Sequence, residues 1–179
     1  MPVTRLLTND DADVLAKLLR GNRAFLAPWQ PIRGERYFTD EGQHEVVEAM
    51  LEQHRLGNSV PFVILGSPGQ VVETITIQSV IRGAFQSCAV GYWLAEDVQG
   101  RGLATTALRE VAHHAFRELR LHRIQAETLV NNLVSQRVLA RVGFRQYGVA
   151  PKYLKIAGQW QDNLLYQLLT PEPESVDCG

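Results

Sequence analysis

The residues best suited to chemistry form a glycine-rich run held between an apolar strand and an apolar-faced helix. Val90-Gly91-Tyr92-Trp93-Leu94 leads through a short loop into Gln99-Gly100-Arg101-Gly102-Leu103-Ala104. From there Leu103, Ala104, Ala107, Leu108, Val111, Ala112, Ala115 and Phe116 recur at helical spacing. The first turn of a helix presents N–H groups without intrahelical partners at the positive end of its dipole, and glycines let a phosphate come close to them. The stretch therefore reads as a pyrophosphate cradle, with Arg101 as a cation at its mouth. Two common phosphate motifs do not fit it. No Lys-Ser or Lys-Thr follows the glycines, as a P-loop requires. A dinucleotide fingerprint would need a third glycine where Thr105 stands, and an early βαβ position. On these residues alone the alternative is a strand-to-helix turn with no ligand.

A second cluster follows about thirty residues later by simple counting along the chain. Asn131-Asn132-Leu133-Val134-Ser135 opens a helix that closes at Ala140-Arg141-Val142-Gly143-Phe144. Gly143 supplies a left-handed C-cap and Phe144 the hydrophobic contact after it, so both are read as structural. Asn132 suits an N-cap and a ligand contact equally.

The elements that must position these residues follow from periodicity. A first helix carries Val14, Leu15, Leu18 and Leu19 between Thr8-Asn9-Asp10 and Gly21. A second begins near Thr39 or Asp40, with Asp40 and Gln43 at capping-box spacing, and ends at Gly57. Strands are expected over 61–65 and 71–80, joined by Ser67-Pro68-Gly69 as a hairpin, and over 87–94. Helix and strand then alternate over 102–119, 123–129, 133–141, 144–149 and 163–169. This order predicts an α+β fold, antiparallel strands first and a β-helix-β unit in the middle.

Composition narrows the partners. With 18 Lys and Arg against 19 Asp and Glu the formal net charge is -1, so no global field holds a nucleic acid or an anionic membrane. The 179 residues are expected to form one domain over 1–170, with 171–179, rich in Pro and Glu, as a disordered tail. Cys88 and Cys178 make no CxxC pair, the first residues lack a leader pattern, and no run approaches about 18 apolar residues, so a cytoplasmic protein is expected. The five histidines show no ligand spacing, and no metal is expected.

Gln99-x-x-Gly102-x-Ala104 after a strand, then Asn132-x-x-Ser135 and Gly143-Phe144, resembles the GCN5-related N-acetyltransferase (GNAT) superfamily. Within it the chain is similar to the RimJ/RimL-type ribosomal-protein N-terminal acetyltransferases, and more to RimJ. That similarity spans Asn22-x-x-Phe25-Leu26-x-Pro28-Trp29-x-Pro31, Arg82-Gly83-x-Phe85, His122-Arg123-Ile124, and Tyr153-Leu154-x-Ile156-x-Gly158-Gln159-Trp160-x-Asp162. The resemblance implies a single mixed central sheet with splayed middle strands flanked by helices. It implies acetyl-CoA as co-substrate and acetyl transfer to a primary amine, foremost the N-terminal α-amine of a ribosomal protein. A small-molecule amine acceptor, and an acyl-CoA sensor or ribosome assembly factor with little catalysis, stay open, as does a monomer or a homodimer.

By the same resemblance Trp93 and Leu94 offer backbone groups to the pantetheine arm, which Asn132 also bonds. Gln99, Gly100, Arg101, Gly102, Leu103, Ala104 and Thr105 would hold the pyrophosphate, and Ser135 would stand near the thiol. Glu127 is the leading base candidate. The late glutamate of RimL-type relatives is replaced here by Leu154, and a glutamate common before the Gly-Tyr pair is replaced by Ala89, so neither assignment transfers. Trp29, Pro28 and Pro31 are expected to shape a loop over the acceptor, with Arg82 meeting it. Asp162 either orients the acceptor or ties down the last hairpin. Cys88 is expected to be a core residue.

Overall fold

A computed structural model of the chain describes residues 2–67, 69–93, 95–96 and 100–170. The expected tail, with Cys178, lies outside the described residues, as do Leu94 and Gln99.

β1 (Thr4–Leu6) leads to a 3-10 turn at Asn9–Asp11 and α1 (Ala12–Gly21). The expected cap is present in extended form: the Thr8 N–H donates to Asp11 Oδ2 at 2.9 Å, and Arg5 clamps the same carboxylate. Short helical turns then follow: α2 (Arg23–Leu26) and 3-10 turns at Ala27–Trp29 and Glu35–Phe38. α3 (Asp40–Arg55) starts from Thr39, whose Oγ1 accepts the Gly42 N–H at 3.0 Å. The expected Asp40 and Gln43 pairing is not the cap. Gln43 is one turn inside the helix, and its amide donates to the Tyr37 carbonyl at 2.6 Å, tying the preceding loop down. Gly57 terminates the helix at φ 77°.

β2 (Val60–Leu65), β3 (Val71–Ile81) and β4 (Ser87–Tyr92) run as an antiparallel meander. Then come α4 (Leu103–Arg117), β5 (Arg123–Leu129), α5 (Leu133–Val142), and the long hairpin β6 (Arg145–Ile156) with β7 (Gln159–Leu169). The strands form one mixed seven-stranded sheet in the order β1-β2-β3-β4-β5-β7-β6. The hairpin strands are longer than hydrophobic alternation indicates because most of β6 is exposed and its sequence carries little pattern.

Alternation along β2 shows how the sheet is covered. Phe62 and Ile64 face one side, packing with Leu108, Val111 and Ile124 beneath α4, while Val63 faces the other with Leu15 and Val47 from α1 and α3. Burial on both faces holds β3 and β4 at the centre, and Ala104, Ala107, Leu108, Val111 and Ala115 seat α4 on the sheet.

An opening arises where the one parallel pair among the described residues stops. β4 and β5 are registered through Ser87–Arg123, Cys88–Ile124 and Ala89–Gln125. Beyond these pairs β4 stays with β3 as far as Tyr92, and β5 stays with β7 as far as Leu129. The two strands diverge because each keeps its antiparallel neighbour, and a cleft opens between their C-terminal ends.

Candidate active site

At the start of α4, Gly100 and Gly102 both have φ 77°, a left-handed conformation that costs an L side chain energy but suits glycine. Gly102 is the N-cap of α4 and offers no side chain to the helix end. The first intrahelical bond runs from the Thr106 N–H to the Gly102 carbonyl at 3.1 Å. The N–H groups of Leu103, Ala104 and Thr105 therefore precede it, at the positive end of a fifteen-residue helix. Arg101 is exposed beside them. A Cβ built on either glycine meets nothing within 4 Å, so the space above the turn is open to an anion. These features fit the pyrophosphate of a coenzyme A.

Two bonds hold the chain between β4 and this turn. The Ala95 N–H donates to the buried carboxylate of Glu73 on β3 at 3.1 Å. The Glu96 N–H donates to Asn22 Oδ1 at 3.0 Å, while Asn22 Nδ2 donates back to the Leu18 carbonyl at 2.9 Å. Asn22 thus ties the end of α1 to the segment that precedes the glycines.

The cleft opens into a cavity of about 580 Å³, within the range of small-molecule sites. Trp93, Asn132, Ser135 and Glu127 line it, so the end of the apolar strand run and the start of α5 meet there across the divergent strands, while Gly100 to Thr105 are not among its lining residues. Phe25, Leu26, Trp29 and Pro31 also line the cavity, with Leu154 and Ile156 of β6. The Trp29 loop is joined to the last hairpin by the Ala157 N–H, which donates to the Gln30 carbonyl at 2.9 Å.

Inside, Tyr92 and Ser135 share a hydrogen bond of 3.0 Å between their hydroxyls. Burial pushes the Tyr92 phenol up to about 12, against a smaller opposing effect of its bond to Ser135. The phenol is therefore protonated at neutral pH. Asn132 caps α5, its Oδ1 accepting the Ser135 N–H at 3.1 Å. The cap and the phenol together fix where Ser135 stands. Glu127, half-buried on β5, has its carboxyl raised by burial, partly offset by a backbone hydrogen bond. Among the described residues that line the cavity it is the one carboxylate, and no histidine joins it.

Three further residues singled out in the sequence stand outside the cavity lining. Arg82 is at the other end of β4, its guanidinium donating to the Leu119 carbonyl, and does not line the cavity. Asp162 Oδ1 accepts the Lys152 N–H at 2.8 Å, where the β6–β7 register slips between Ala150 and Leu154. It ties down the hairpin, whose irregularity leaves Lys152 at φ 48°. Cys88 is 2% exposed, and burial pushes its thiol up to about 12, so it is a core residue. Among the described residues no group of three or more His, Cys, Asp or Glu is placed to hold a metal ion. No helix among them is long and apolar enough to cross a membrane.

Sequence reasoning missed two cavity residues. Thr128 and Asn163 are 4% and 2% exposed, and their side-chain oxygens Oγ1 and Oδ1 are buried without a hydrogen-bond partner. Neither belongs to a recognisable motif, and β-strand polar residues at these spacings are ordinary.

A mixed sheet that splays beside a glycine-capped helix is the architecture of an acetyltransferase, and residues 3–145 match the acetyltransferase (GNAT) domain family; the chain belongs to that family. Among relatives, it is 36% identical over 171 residues to the probable N-acetyltransferase YjcK of Bacillus subtilis, covering 95% of this chain and 94% of that one. It is 34% identical over 171 residues to the [ribosomal protein uS5]-alanine N-acetyltransferase of Escherichia coli, covering 95% and 88%. Among solved structures, Mycobacterium smegmatis RimJ in complex with CoA-disulfide superposes with a TM-score of 0.89 at 33% identity, covering 93% of this chain and 81% of that one. The protein is an acetyltransferase of the RimJ/RimL type.

Proposed function

We propose that the protein transfers acetyl from acetyl-CoA to the N-terminal α-amine of a ribosomal protein in the cytoplasm, with residues 1–170 acting as one catalytic domain. The observation that carries this reading is the composition of the cleft: one half-buried carboxylate, Glu127, and a Tyr92–Ser135 hydroxyl pair across the gap. Such a site is matched to an acceptor that needs little deprotonation. An α-amine has a pKa of about 8, so roughly a tenth is neutral at pH 7, whereas lysine at about 10.4 is neutral in well under a thousandth. A carboxylate, even one raised by burial, is a weak base for lysine and an adequate one for an α-amine.

The N–H groups from Gly100 to Thr105 would hold the pyrophosphate, with Arg101 beside it. Trp93, just beyond the end of β4, would offer its backbone to the pantetheine arm, which the Asn132 amide would also meet. The neutral amine attacks the thioester carbonyl directly, in a ternary complex, forming the C–N bond as the C–S bond breaks. Ser135 donates its hydroxyl proton to the departing thiolate, a modest demand because ordinary thiols have a pKa of about 8.5. Tyr92, protonated throughout, orients that hydroxyl, and the serine regains its proton from solvent water. Glu127 accepts the proton that the amine loses. The uS5-alanine relative supports a peptide acceptor beginning with a small residue.

The test is thiol release from acetyl-CoA with a short peptide beginning Ala or Ser, beside the same peptide with a blocked N-terminus and one internal lysine. Release with the free N-terminus alone is expected. Release with small amines only reassigns the acceptor class, and CoA binding without turnover on any amine leaves a sensor.

A further inference from the structure

We propose that Asn163 is the second half of the acceptor seat, a positioning residue whose side chain takes a hydrogen bond from the incoming amine opposite Glu127. The assignment rests on the acetyl-transfer reading above. It starts from the β5–β7 ladder, in which Leu129 pairs with Asn163 and Glu127 with Leu165. Directly paired residues on antiparallel strands point to the same face, so Asn163 and Glu127 share one face as diagonal neighbours, their side-chain roots about 7–8 Å apart. An amine nitrogen bonded to two oxygens at about 2.9 Å and a tetrahedral angle sets them about 4.7 Å apart, a separation that two side chains leaning inward from these roots can supply. Both side chains line the cavity, and both stand on strands held in register on either side of that spacing.

Burial supplies the independent argument. Asn163 is 2% exposed, and its Oδ1 has no hydrogen-bond partner among the described residues. Leaving a buried acceptor unpaired is unfavourable, and folding alone would favour an apolar residue at this buried position. A ligand donor satisfies it. The donor is a neutral or protonated amine, because the reaction needs an N–H group at this depth and the amide is uncharged. A carboxamide holds the amine without stabilising its ammonium form, which a carboxylate would do at the expense of the nucleophile. Glu127 removes the proton and Asn163 holds the nitrogen in line.

Two variants test the assignment on whichever amine the wild-type protein acetylates, so a wrong choice of acceptor class leaves the comparison intact. In Asn163→Leu, nearly equal in volume, the acceptor KM is expected to rise about tenfold or more, with acetyl-CoA KM within about twofold and Tm unchanged or higher. In Asn163→Asp, acceptor binding returns, and the acid limb of the kcat/KM profile moves to higher pH because the new carboxylate holds the amine protonated. An Asn163→Leu protein with unchanged acceptor KM would overturn the assignment. A loss of Tm in which both KM values rise together would make Asn163 a structural residue, and an unshifted pH profile in Asn163→Asp would remove the amine contact.

Discussion

Ser135 is held from two sides, its N–H by the Asn132 cap and its hydroxyl by Tyr92. Replacing it with alanine keeps the cap, since the backbone N–H is retained, and removes only the proton donor. Ser135→Ala is therefore expected to lower kcat about a hundredfold with acetyl-CoA KM changed less than about twofold, read in steady-state kinetics at saturating acceptor. Unchanged kcat would exclude Ser135 from the chemistry. Glu127 makes a prediction with a sign. Its folded pKa is raised by burial, so the native state holds a proton that the unfolded chain has already released. Stability from this group is present at low pH and falls as pH rises from the unfolded value through the folded one. Glu127→Gln should therefore leave Tm unchanged near pH 4 and hold or raise it at pH 7. The same variant should lose the acid limb of kcat/KM, because the base it replaces is active only when ionised. A Tm that drops at pH 7 would mean that the carboxylate is a structural partner.

At the scale of elements, the site depends on how α4 and the last hairpin are tied. Gly102 caps α4 in a left-handed conformation, with open space where a Cβ would stand. Gly102→Ala is expected to cost about 1–2 kcal/mol of stability, from backbone strain alone. Its effect on acetyl-CoA KM should be larger than that conformational cost implies, because the added methyl occupies the approach to the first-turn N–H groups. A variant with lowered Tm and unchanged acetyl-CoA KM would show that the pyrophosphate lies elsewhere. Asp162 acts at this scale too: it holds the slipped register of β6 and β7, which sets where Leu154 and Ile156 meet the cavity.

At the scale of the molecule, the cleft exists because the sheet is mixed. A ligand seated between β4 and β5 bridges two antiparallel blocks, β1 to β4 and β5 to β7, that otherwise share three registered pairs and the helices. Binding to the folded state alone stabilises it by about 2.7 kcal/mol at a hundredfold excess over Kd. For a chain of this size that corresponds to a Tm increase of roughly 5–10 °C. Thermal unfolding with and without CoA at that ratio is the check, and the increase should shrink in Gly102→Ala at the same CoA concentration. Equal shifts in both proteins would count against the glycine turn as part of the binding surface.

The sequence by itself determined the parts whose physics is local. Gly102 before an apolar stripe marks a helix start, Asn132 before Leu133 marks a cap, and Gly143 before Phe144 marks a stop; each stands at that position in the fold. The central strands were legible as well, because burial on two faces leaves a clear apolar pattern. What only the tertiary structure decided depends on pairing between distant strands. Strand β1 is three residues long and partly exposed, too short to show a period. The exposed hairpin carries little hydrophobic signal, so its length, its slip at Ala150, and the use of Asp162 to hold that slip emerge only from the ladder. Arg82 lay in a motif yet faces away from the cleft, since a motif records neighbours along the chain and not the end of the sheet they reach. Asn163 stands two residues off Glu127 in register although 36 positions separate them in the numbering. Register is a property of two strands together, and no single stretch of chain contains it.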